Sequence, residues 1–502
     1  MINLSKSRYC QGLQCPKILW MNEHKREEYD EGVMNQGILQ TGNEVGDLAM
    51  GYFGEFTEVP YEADKSVMIG ETRRLIEQKT GVIAEASFSY EGNFCSVDIL
   101  RKAADAFEIV EVKSSTEIKP VYYDDMAFQY YVLSGCGLKI KKISLMHINN
   151  KYVRQGNLDL AQLFIIHDCT GEILARQEGV KQNIERLKGT AGQEKEPSID
   201  IGPHCGDPYP CGYSGYCWRH IPAHSIFNVA RLTGKKQFEY YAKDIISFDD
   251  ILKSGIPLSE KQQRQVEAET KQLPPIIDEK EICSFLNTLS YPLYFLDFET
   301  FQPAIPPFDR CRPYMQIPFQ YSLHILTSPD AEPEHREFLA KEGTDPRRPL
   351  AEALCKDIPP KALRSKDPVC TLAYNMGFEK GVIAGLAELF PDLSKRLLDI
   401  RRHIKDLMTP FQSQAYYCRE FEGSYSIKAV LPAMFPDDPE LNYHGLDLIH
   451  NGGEAMTAFL GLEKRPRQEI GAIRQALLAY CRLDTLAMVK ILEKLRLTGD
   501  RK

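Results

Sequence analysis

From residue 291 onward, short apolar runs of strand length are followed by longer segments with helical periodicity. The predicted strands are 293–298, 319–326, 336–340 and 369–374, and the predicted helices lie near 378–389, 394–407 and 469–497. Three successive strands, then a strand followed by helices, are typical of a mixed sheet flanked by helices. We therefore expect an α/β domain in this half of the chain.

The N-terminal part has a different pattern. Two β-rich segments, 96–101 and 108–113, are separated by a turn, which predicts a hairpin. A loop rich in Gly, Pro and charged residues follows near residue 190, and the segment after it is mostly helical in pattern. The sequence thus predicts three parts, which are an α/β domain over 1–222, a helical connector over 223–288 and a second α/β domain over 289–502.

Length and composition limit the class of protein. A chain of 502 residues is too long for one ordinary core, and 43% hydrophobic with 26% charged residues is typical of globular proteins. The sequence has neither a secretory signal nor an apolar run of membrane-spanning length, so we expect a cytoplasmic protein with no membrane partner. The net charge of -9 argues against a basic protein that coats nucleic acid, but not against a nuclease.

Two pairs of polar side chains in the second α/β domain have spacings that place each pair on one face. Asp297 and Glu299 are two residues apart on a predicted strand, and Tyr480 and Asp484 are four apart on the last predicted helix. Adjacent carboxylates repel each other, and a divalent cation that prefers oxygen ligands, Mg²⁺ or Mn²⁺, relieves that repulsion. The alternative for Asp297 is a turn or helix-capping role.

A further acid, Glu379, follows the fourth predicted strand and opens a helix, at the edge where open α/β sheets place their sites. The order of Asp-x-Glu, Asn-x-x-Phe-Glu and Tyr-x-x-x-Asp segments resembles the RNase H-like DEDD exonucleases of the tyrosine subclass. Glu379 departs from that pattern, because the family usually has aspartate there.

The resemblance implies an RNase H-like fold, two metal ions and release of nucleotides from a 3′ end. The residues that it implies as metal ligands are Asp297, Glu299, Glu379 and Asp484. Tyr480 would orient the attacking water. Asp406, which we place on the helix after the middle motif, is interpreted as a supporting or solvated residue rather than a ligand. Lys428 lies either in an ordinary surface turn or in a turn that holds a phosphate.

The predicted hairpin carries a second set of chemical groups. Glu111 and Lys113 share one strand face, Asp98 precedes them, and Gln129 follows on a predicted helix. Alone, Glu111 and Lys113 could form a plain ion pair. In this order, the residues resemble the RecB-like branch of the PD-(D/E)xK nucleases, which have a restriction-endonuclease-like fold.

That resemblance implies that Asp98 and Glu111 hold a divalent metal, that Lys113 positions the hydrolytic water and that Gln129 supports the site. Glu85, on the preceding strand, is a candidate additional ligand. RecB-like enzymes often have a histidine on an early helix, and residues 42–46 have none. Either Glu44 substitutes for it, or the metal is held with fewer ligands.

The cysteines form a third candidate site. Cys205, Cys211 and Cys217 recur with five intervening residues each, and Cys15 lies in a Cys-Pro-Lys segment near the N-terminus. Three late cysteines and one early cysteine resemble the iron–sulfur site of RecB-like exonucleases. Four thiolates suit a [4Fe-4S] cluster or Zn²⁺, and we favour iron–sulfur because Cys-x-x-Cys pairs are absent. Unliganded structural cysteines, or Cys10 in place of Cys15, are alternatives.

With both motif sets in one chain, the sequence resembles bacterial proteins in which a RecB-like iron–sulfur nuclease is fused to a DEDD exonuclease. They imply a metal-dependent nuclease with two separate sites, acting on nucleic acid in DNA repair, degradation or defence. Single-stranded DNA ends are the favoured substrate, and RNA is an alternative. The rival hypothesis is a nucleic-acid-binding scaffold in which one or both sites are inactive.

Overall fold

The computed structural model describes residues 3–33, 36–360 and 369–499, and the chain divides into two compact units. The N-terminal unit comprises Met1–Ile221 with Pro303–Met315, and the C-terminal unit comprises Pro222–Gln302 with Gln316–Lys502. Both units combine helices with mixed sheets, so the predicted α/β class is confirmed. The predicted connector is counted within the C-terminal unit, and the three-part division stays a prediction.

The N-terminal unit is built on one mixed sheet. Its strands are β1 (Leu4–Ser5), β2 (Thr57–Glu58), β3 (Val82–Tyr90), β4 (Asn93–Ala103), β5 (Ala106–Lys113), β6 (Ile140–Ile148) and β7 (Phe164–Asp168). Its helices are α1 (Lys6–Gln14), α2 (Pro16–His24), α3 (Gln36–Met50), α4 (Lys65–Glu77), α5 (Pro120–Gly135), α6 (Leu160–Leu163), α7 (Thr170–Ala175), α8 (Gln177–Ala191) and α9 (Ser214–Cys217).

Strands β2 to β7 lie side by side in chain order, and β1 pairs in parallel with β4. The predicted hairpin is confirmed, because β4 and β5 are antiparallel with Ile99 opposite Val110. Apolar side chains cover both faces of the sheet. Ile109 faces a core that includes Phe128 of α5, whereas Val110 faces a second core that includes Val45 of α3. The strands of the hairpin are therefore covered by apolar cores on both faces.

The C-terminal unit contains the remaining elements. Its strands are β8 (Ile276–Ile277), β9 (Leu293–Phe301), β10 (Ile317–Leu326), β11 (Glu334–Leu339), β12 (Cys370–Ala373), β13 (Ile404–Asp406) and β14 (Tyr416–Tyr417). Its helices are α10 (Gly234–Tyr241), α11 (Phe248–Ser254), α12 (Glu260–Thr270), α13 (Glu279–Leu286), α14 (Arg347–Asp357), α15 (Gly377–Leu389), α16 (Pro391–Arg402), α17 (Thr409–Gln412), α18 (Ile427–Met434), α19 (Gly452–Gly461) and α20 (Arg467–Gly499).

A five-stranded sheet in the order β11-β10-β9-β12-β13 forms the centre of this unit. Strands β9, β10 and β11 are antiparallel, whereas β12 and β13 run parallel to β9, and all four predicted strands are confirmed. One prediction is wrong. The helix predicted over 394–407 ends at Arg402, and Asp406 lies on β13. The sequence did not reveal this strand, because three residues are too few to interrupt a helical pattern visibly.

No helix among the described residues is both long enough and apolar enough to cross a membrane.

Candidate metal centres

The central strand β9 carries two of the predicted carboxylates. Asp297 and Glu299 lie on one face of the strand, while Phe298 between them is buried in the core on the opposite face. One oxygen of each carboxylate and the Sγ atom of Cys481 all lie within 4.8 Å of one another. The predicted shared face of Asp297 and Glu299 is thus present. Cys481 was missed, since a buried cysteine on a helix has no distinct sequence signal.

The long helix α20 brings the last motif to the same place, because it packs against both β9 and β10. Asp484 is buried, and its Oδ1 atom accepts a hydrogen bond of 2.5 Å from the hydroxyl of Tyr443. Tyr443 lies in a short 3-10 turn, and the sequence offered no pattern that could have identified it. Tyr480 is buried beside Tyr443, with 6.1 Å between the ring centroids.

Glu379 opens α15 and is only 2% exposed, and its Oε2 atom has no hydrogen-bond partner among the described residues. Asp406 holds the turn in front of this helix. Its carboxylate accepts hydrogen bonds from the backbone amides of Asn375 at 3.0 Å and Met376 at 3.1 Å. Asp406 therefore orients the segment that carries Glu379. An unpaired buried carboxylate oxygen is costly unless a cation or a proton satisfies it.

We call Asp297, Glu299, Glu379 and Asp484 the C-terminal carboxylate cluster. Burial, and then the charges of the other three acids, raises the pKa of Asp297 far above its usual value. Burial, followed by the charge of Asp484, raises the pKa of Glu299 to about 8. Burial also raises the pKa of Glu379 to about 8 and that of Asp484 to about 6. Four acids that repel one another in a buried setting fit a divalent cation.

Lys428 is the residue for which the sequence allowed two roles, an ordinary turn or a phosphate contact. Its Nζ atom lies 5.8 Å from the ring centroid of Tyr443 and 5.9 Å from that of Tyr480. Its charge also opposes the rise in the pKa values of Glu299 and Asp484. Lys428 is exposed on α18 and therefore lies at the rim of the C-terminal carboxylate cluster, and its role in holding a phosphate stays a prediction.

The N-terminal unit brings its predicted residues together on β4, β5 and α5. Gln129 donates to Oε2 of Glu111 at 2.6 Å, and Lys113 donates to Oε1 of the same carboxylate at 2.5 Å. Asp98 accepts a hydrogen bond of 2.7 Å from the backbone amide of Val112. Asp125, one turn before Gln129, accepts from Lys113 at 2.8 Å. We call Asp98, Glu111 and Asp125 the N-terminal carboxylate cluster.

Glu85 joins this cluster through an irregularity in β3. It has a φ of +54°, and regular pairing between β3 and β4 skips it, passing from Ala84 to Ala86. Non-glycine residues rarely adopt this conformation, and such residues are concentrated at functional sites. Burial, and then the charge of Asp98, raises the pKa of Glu85 to about 7. Glu44 is different, because its side chain is exposed and accepts a hydrogen bond from Gln40.

The four predicted cysteines line one cavity. Cys15 comes from the start of α2, and the others come from the segment that contains α9. Within the described part of the chain, no three of these sulfur atoms lie within 4.8 Å of one another. A single Zn²⁺ ion with bonds of about 2.3 Å holds its four sulfur atoms roughly 3.8 Å apart. The sulfur atoms of this cavity are thus not as close together as direct binding of one Zn²⁺ ion requires. Cys10 does not line this cavity.

The thiols of this cavity are poor thiolates by themselves. Burial, and then the neighbouring Cys15 and Cys205, raises the pKa of Cys211 to about 11, and burial likewise raises that of Cys217. A soft metal or iron–sulfur cluster supplies the positive charge that would hold such thiols deprotonated.

Residues 294–426 match the model of a family described as a domain of unknown function, DUF2779. The matched segment begins on β9 and includes Asp297, Glu299 and Glu379, but it ends before Tyr480 and Asp484. No curated protein matches the chain. The similarity carries no statement of activity, cofactor or domain fusion.

Proposed function

We propose that the protein is a metal-dependent nuclease that hydrolyses phosphodiester bonds, with an RNase H-like DEDD exonuclease domain and a RecB-like PD-(D/E)xK nuclease domain. The observation that carries the proposal is the C-terminal carboxylate cluster, in which buried acids from three elements face one another and Glu379 has an oxygen without a hydrogen-bond partner among the described residues. Such an arrangement has no evident structural use, because it costs stability in the absence of a cation.

Asp297, Glu299, Glu379 and Asp484 would hold the divalent ions, which supply activation of water and stabilisation of the leaving oxygen in phosphodiester hydrolysis. The other groups act by position. Burial and the nearby acids raise the pKa of Tyr480, so its hydroxyl keeps its proton at neutral pH and can donate to water or phosphate. Lys428 offers a positive charge for the substrate phosphate at the rim.

Support for the second site comes from the N-terminal carboxylate cluster. Lys113 bridges Glu111 and Asp125, and its pKa is held above the usual lysine value because the two carboxylates outweigh the effect of burial. A lysine that stays protonated suits electrostatic positioning of water or phosphate rather than proton abstraction. The cysteine cavity would hold a [4Fe-4S] cluster, which supplies a cross-link between the start of α2 and the α9 segment.

End-labelled single strands test this proposal. We expect the purified protein to shorten DNA strands in Mn²⁺ or Mg²⁺ and to leave them intact in EDTA, with nucleotides released from the 3′ end by the C-terminal site. Matched RNA strands decide between DNA and RNA as the preferred substrate. Activity that survives Asp297→Asn is assigned to the N-terminal site if Lys113→Ala removes it. Binding of every strand type without any metal-dependent product would favour the scaffold hypothesis.

The stability of the metal-free protein should depend on pH in a characteristic direction. Glu299 and Glu379 have folded-state pKa values of about 8, above the values of about 4.3 in an unfolded chain. The folded state therefore binds more protons, and its free energy of unfolding falls as the pH rises from about 5 to 8. In EDTA the melting temperature should thus be lower at pH 8 than at pH 6.

Divalent ions should reverse this trend. Mn²⁺ competes with protons for the same oxygens, so the rise in melting temperature on adding Mn²⁺ is expected to be larger at pH 8 than at pH 6. Glu379→Gln removes one of the titrating groups and should flatten the pH dependence in EDTA. Equal Mn²⁺ effects at both pH values, or a melting temperature in EDTA that rises with pH in this range, would contradict the assignment.

A further inference from the structure

Lys6 is an unexpected member of the N-terminal carboxylate cluster. It is the first residue of α1, directly after β1, which pairs with β4 at Asn93 and Phe94. This pairing fixes the backbone of the N-terminal segment beside the strand that carries Asp98. The side chain of Lys6 is 23% exposed and points into the cluster. Nothing in the order of motifs along the chain predicts its presence there.

The ammonium group of Lys6 contacts all three acids. Its Nζ atom lies 2.9 Å from Oε1 of Glu111, 3.6 Å from Oδ1 of Asp125 and 3.9 Å from Oδ1 of Asp98. With Lys113, two positive charges face three negative ones. The C-terminal carboxylate cluster differs, since there Lys428 acts only from the rim. The charges of Asp98, Glu111 and Asp125 are therefore largely balanced before any metal ion arrives, and Glu85, with a pKa of about 7, adds a partial negative charge.

We propose that Lys6 is a built-in counter-ion of the N-terminal site, which occupies the space between Asp98, Glu111 and Asp125 and must be displaced when a divalent cation binds there. The inference rests on the proposed function in one respect, namely that these acids form a divalent-cation site. It adds a competitor for that cation, supplied by the chain itself.

The spacing of the acids supports this role. Among the described residues, the N-terminal cluster contains no three ligand atoms within 4.8 Å of one another, whereas Asp297 and Glu299 of the C-terminal cluster form such a group together with Cys481. An ammonium group donates separate hydrogen bonds to several oxygens, and it therefore holds them farther apart than a bare cation with bonds of about 2.1 Å. Burial disfavours the charged form of Lys6, but Asp125, Glu111 and Asp98 outweigh it and hold its pKa well above the usual value.

Direct Mn²⁺ binding tests the role of Lys6. The experiment uses the 502-residue chain with Asp297→Asn and Asp484→Asn, which removes the C-terminal metal site, and measures free Mn²⁺ by electron paramagnetic resonance. Adding Lys6→Ala should tighten Mn²⁺ binding by about tenfold or more, because one competing positive charge within 4 Å is gone. Lys6→Arg keeps the charge and should leave the weaker binding of the parent protein.

A matched control comes from the same hairpin. Arg101 pairs with the buried Glu108 across β4 and β5, on the opposite face of β5 from Glu111, so Arg101→Ala also removes one cationic partner of a buried acid and leaves Lys141 as the other. Both Arg101→Ala and Lys6→Ala should lower the melting temperature in EDTA. Adding Mn²⁺ should restore the melting temperature of the Lys6→Ala variant but not that of the Arg101→Ala variant. A merely structural role for Lys6 predicts no recovery in either variant.

A second measurement keeps Lys6 in the protein, so that the inference can be tested even if the Lys6→Ala variant does not fold. Saturating Mn²⁺ should increase acetylation of Lys6 by acetic anhydride, as measured by mass spectrometry, relative to the exposed Lys139. Unchanged or reduced labelling of Lys6, or equal Mn²⁺ affinity with and without Lys6, overturns the inference while leaving the nuclease proposal intact. Absence of Mn²⁺ binding in both proteins overturns the divalent site itself, and the inference with it.

Discussion

Replacing Asp297 by asparagine is expected to abolish exonuclease activity of the C-terminal site while stabilising the metal-free protein. The substitution keeps the size of the side chain but removes one charge from the centre of the C-terminal carboxylate cluster. Loss of a metal ligand worth about 4 kcal/mol in the transition state lowers the rate by roughly a thousandfold. In EDTA at pH 8, where ionisation of the cluster is most costly, the same change removes repulsion with Asp484, Glu299 and Glu379, so the melting temperature should rise.

The two effects have opposite signs, whereas an ordinary destabilising mutation lowers both the exonuclease rate and the melting temperature. The combination therefore distinguishes loss of a metal ligand from loss of folding. Asp437→Asn is the matched control, since Asp437 is exposed in the same unit. It should change neither the rate of 3′-end release nor the melting temperature. With the N-terminal site disabled by Lys113→Ala, an Asp297→Asn variant that still releases 3′-terminal nucleotides in Mn²⁺ at the rate of Lys113→Ala alone would remove Asp297 from the active site and, with it, the basis of the exonuclease proposal.

The second large effect is expected from Cys211→Ser in the cysteine cavity. Protein purified without oxygen should be brown and contain about four iron atoms per chain. Removing one thiolate ligand should reduce the iron content to near zero. Metal binding at structural sites contributes on the order of 10 kcal/mol of folding free energy, which is comparable with the whole stability of a domain. The N-terminal unit of the variant should therefore unfold at a much lower temperature.

Cys136→Ser is the control, because Cys136 is an exposed cysteine of the same unit that does not line the cavity. Its iron content and its melting temperature should match those of the parent protein. One zinc ion per chain, with no visible absorption, would replace the iron–sulfur assignment by the zinc alternative. A colourless, metal-free protein whose stability is insensitive to Cys211→Ser would show that the thiols are ordinary buried side chains.

Much of the fold followed from local patterns. The strand before Asp297 and the hairpin that carries Asp98 and Glu111 were predictable, because buried strands have continuous or alternating apolar runs. The helix that carries Tyr480 and Asp484 was equally clear. Strand β13 was missed, since three residues after a helix give too short a pattern, and Asp406 was consequently placed on the wrong element.

The groups that complete each site were not identified by any sequence pattern. Tyr443 reaches Asp484 from a 3-10 turn, and Cys481 comes close to Asp297 only because α20 packs against β9. Lys6 enters the N-terminal carboxylate cluster because β1 pairs with β4. Contacts between residues so distant in the chain depend on how elements pack, which a single sequence does not encode in any local spacing.

The sequence by itself determined which acids share a face, because the side-chain periods of strands and helices are fixed by backbone geometry. It therefore paired Asp297 with Glu299 and Tyr480 with Asp484. Only the tertiary structure decided the charge balance of the two clusters. Burial and distance set electrostatic energies, so the acids of the C-terminal cluster are left to repel one another, while those of the N-terminal cluster are largely balanced by Lys113 and Lys6.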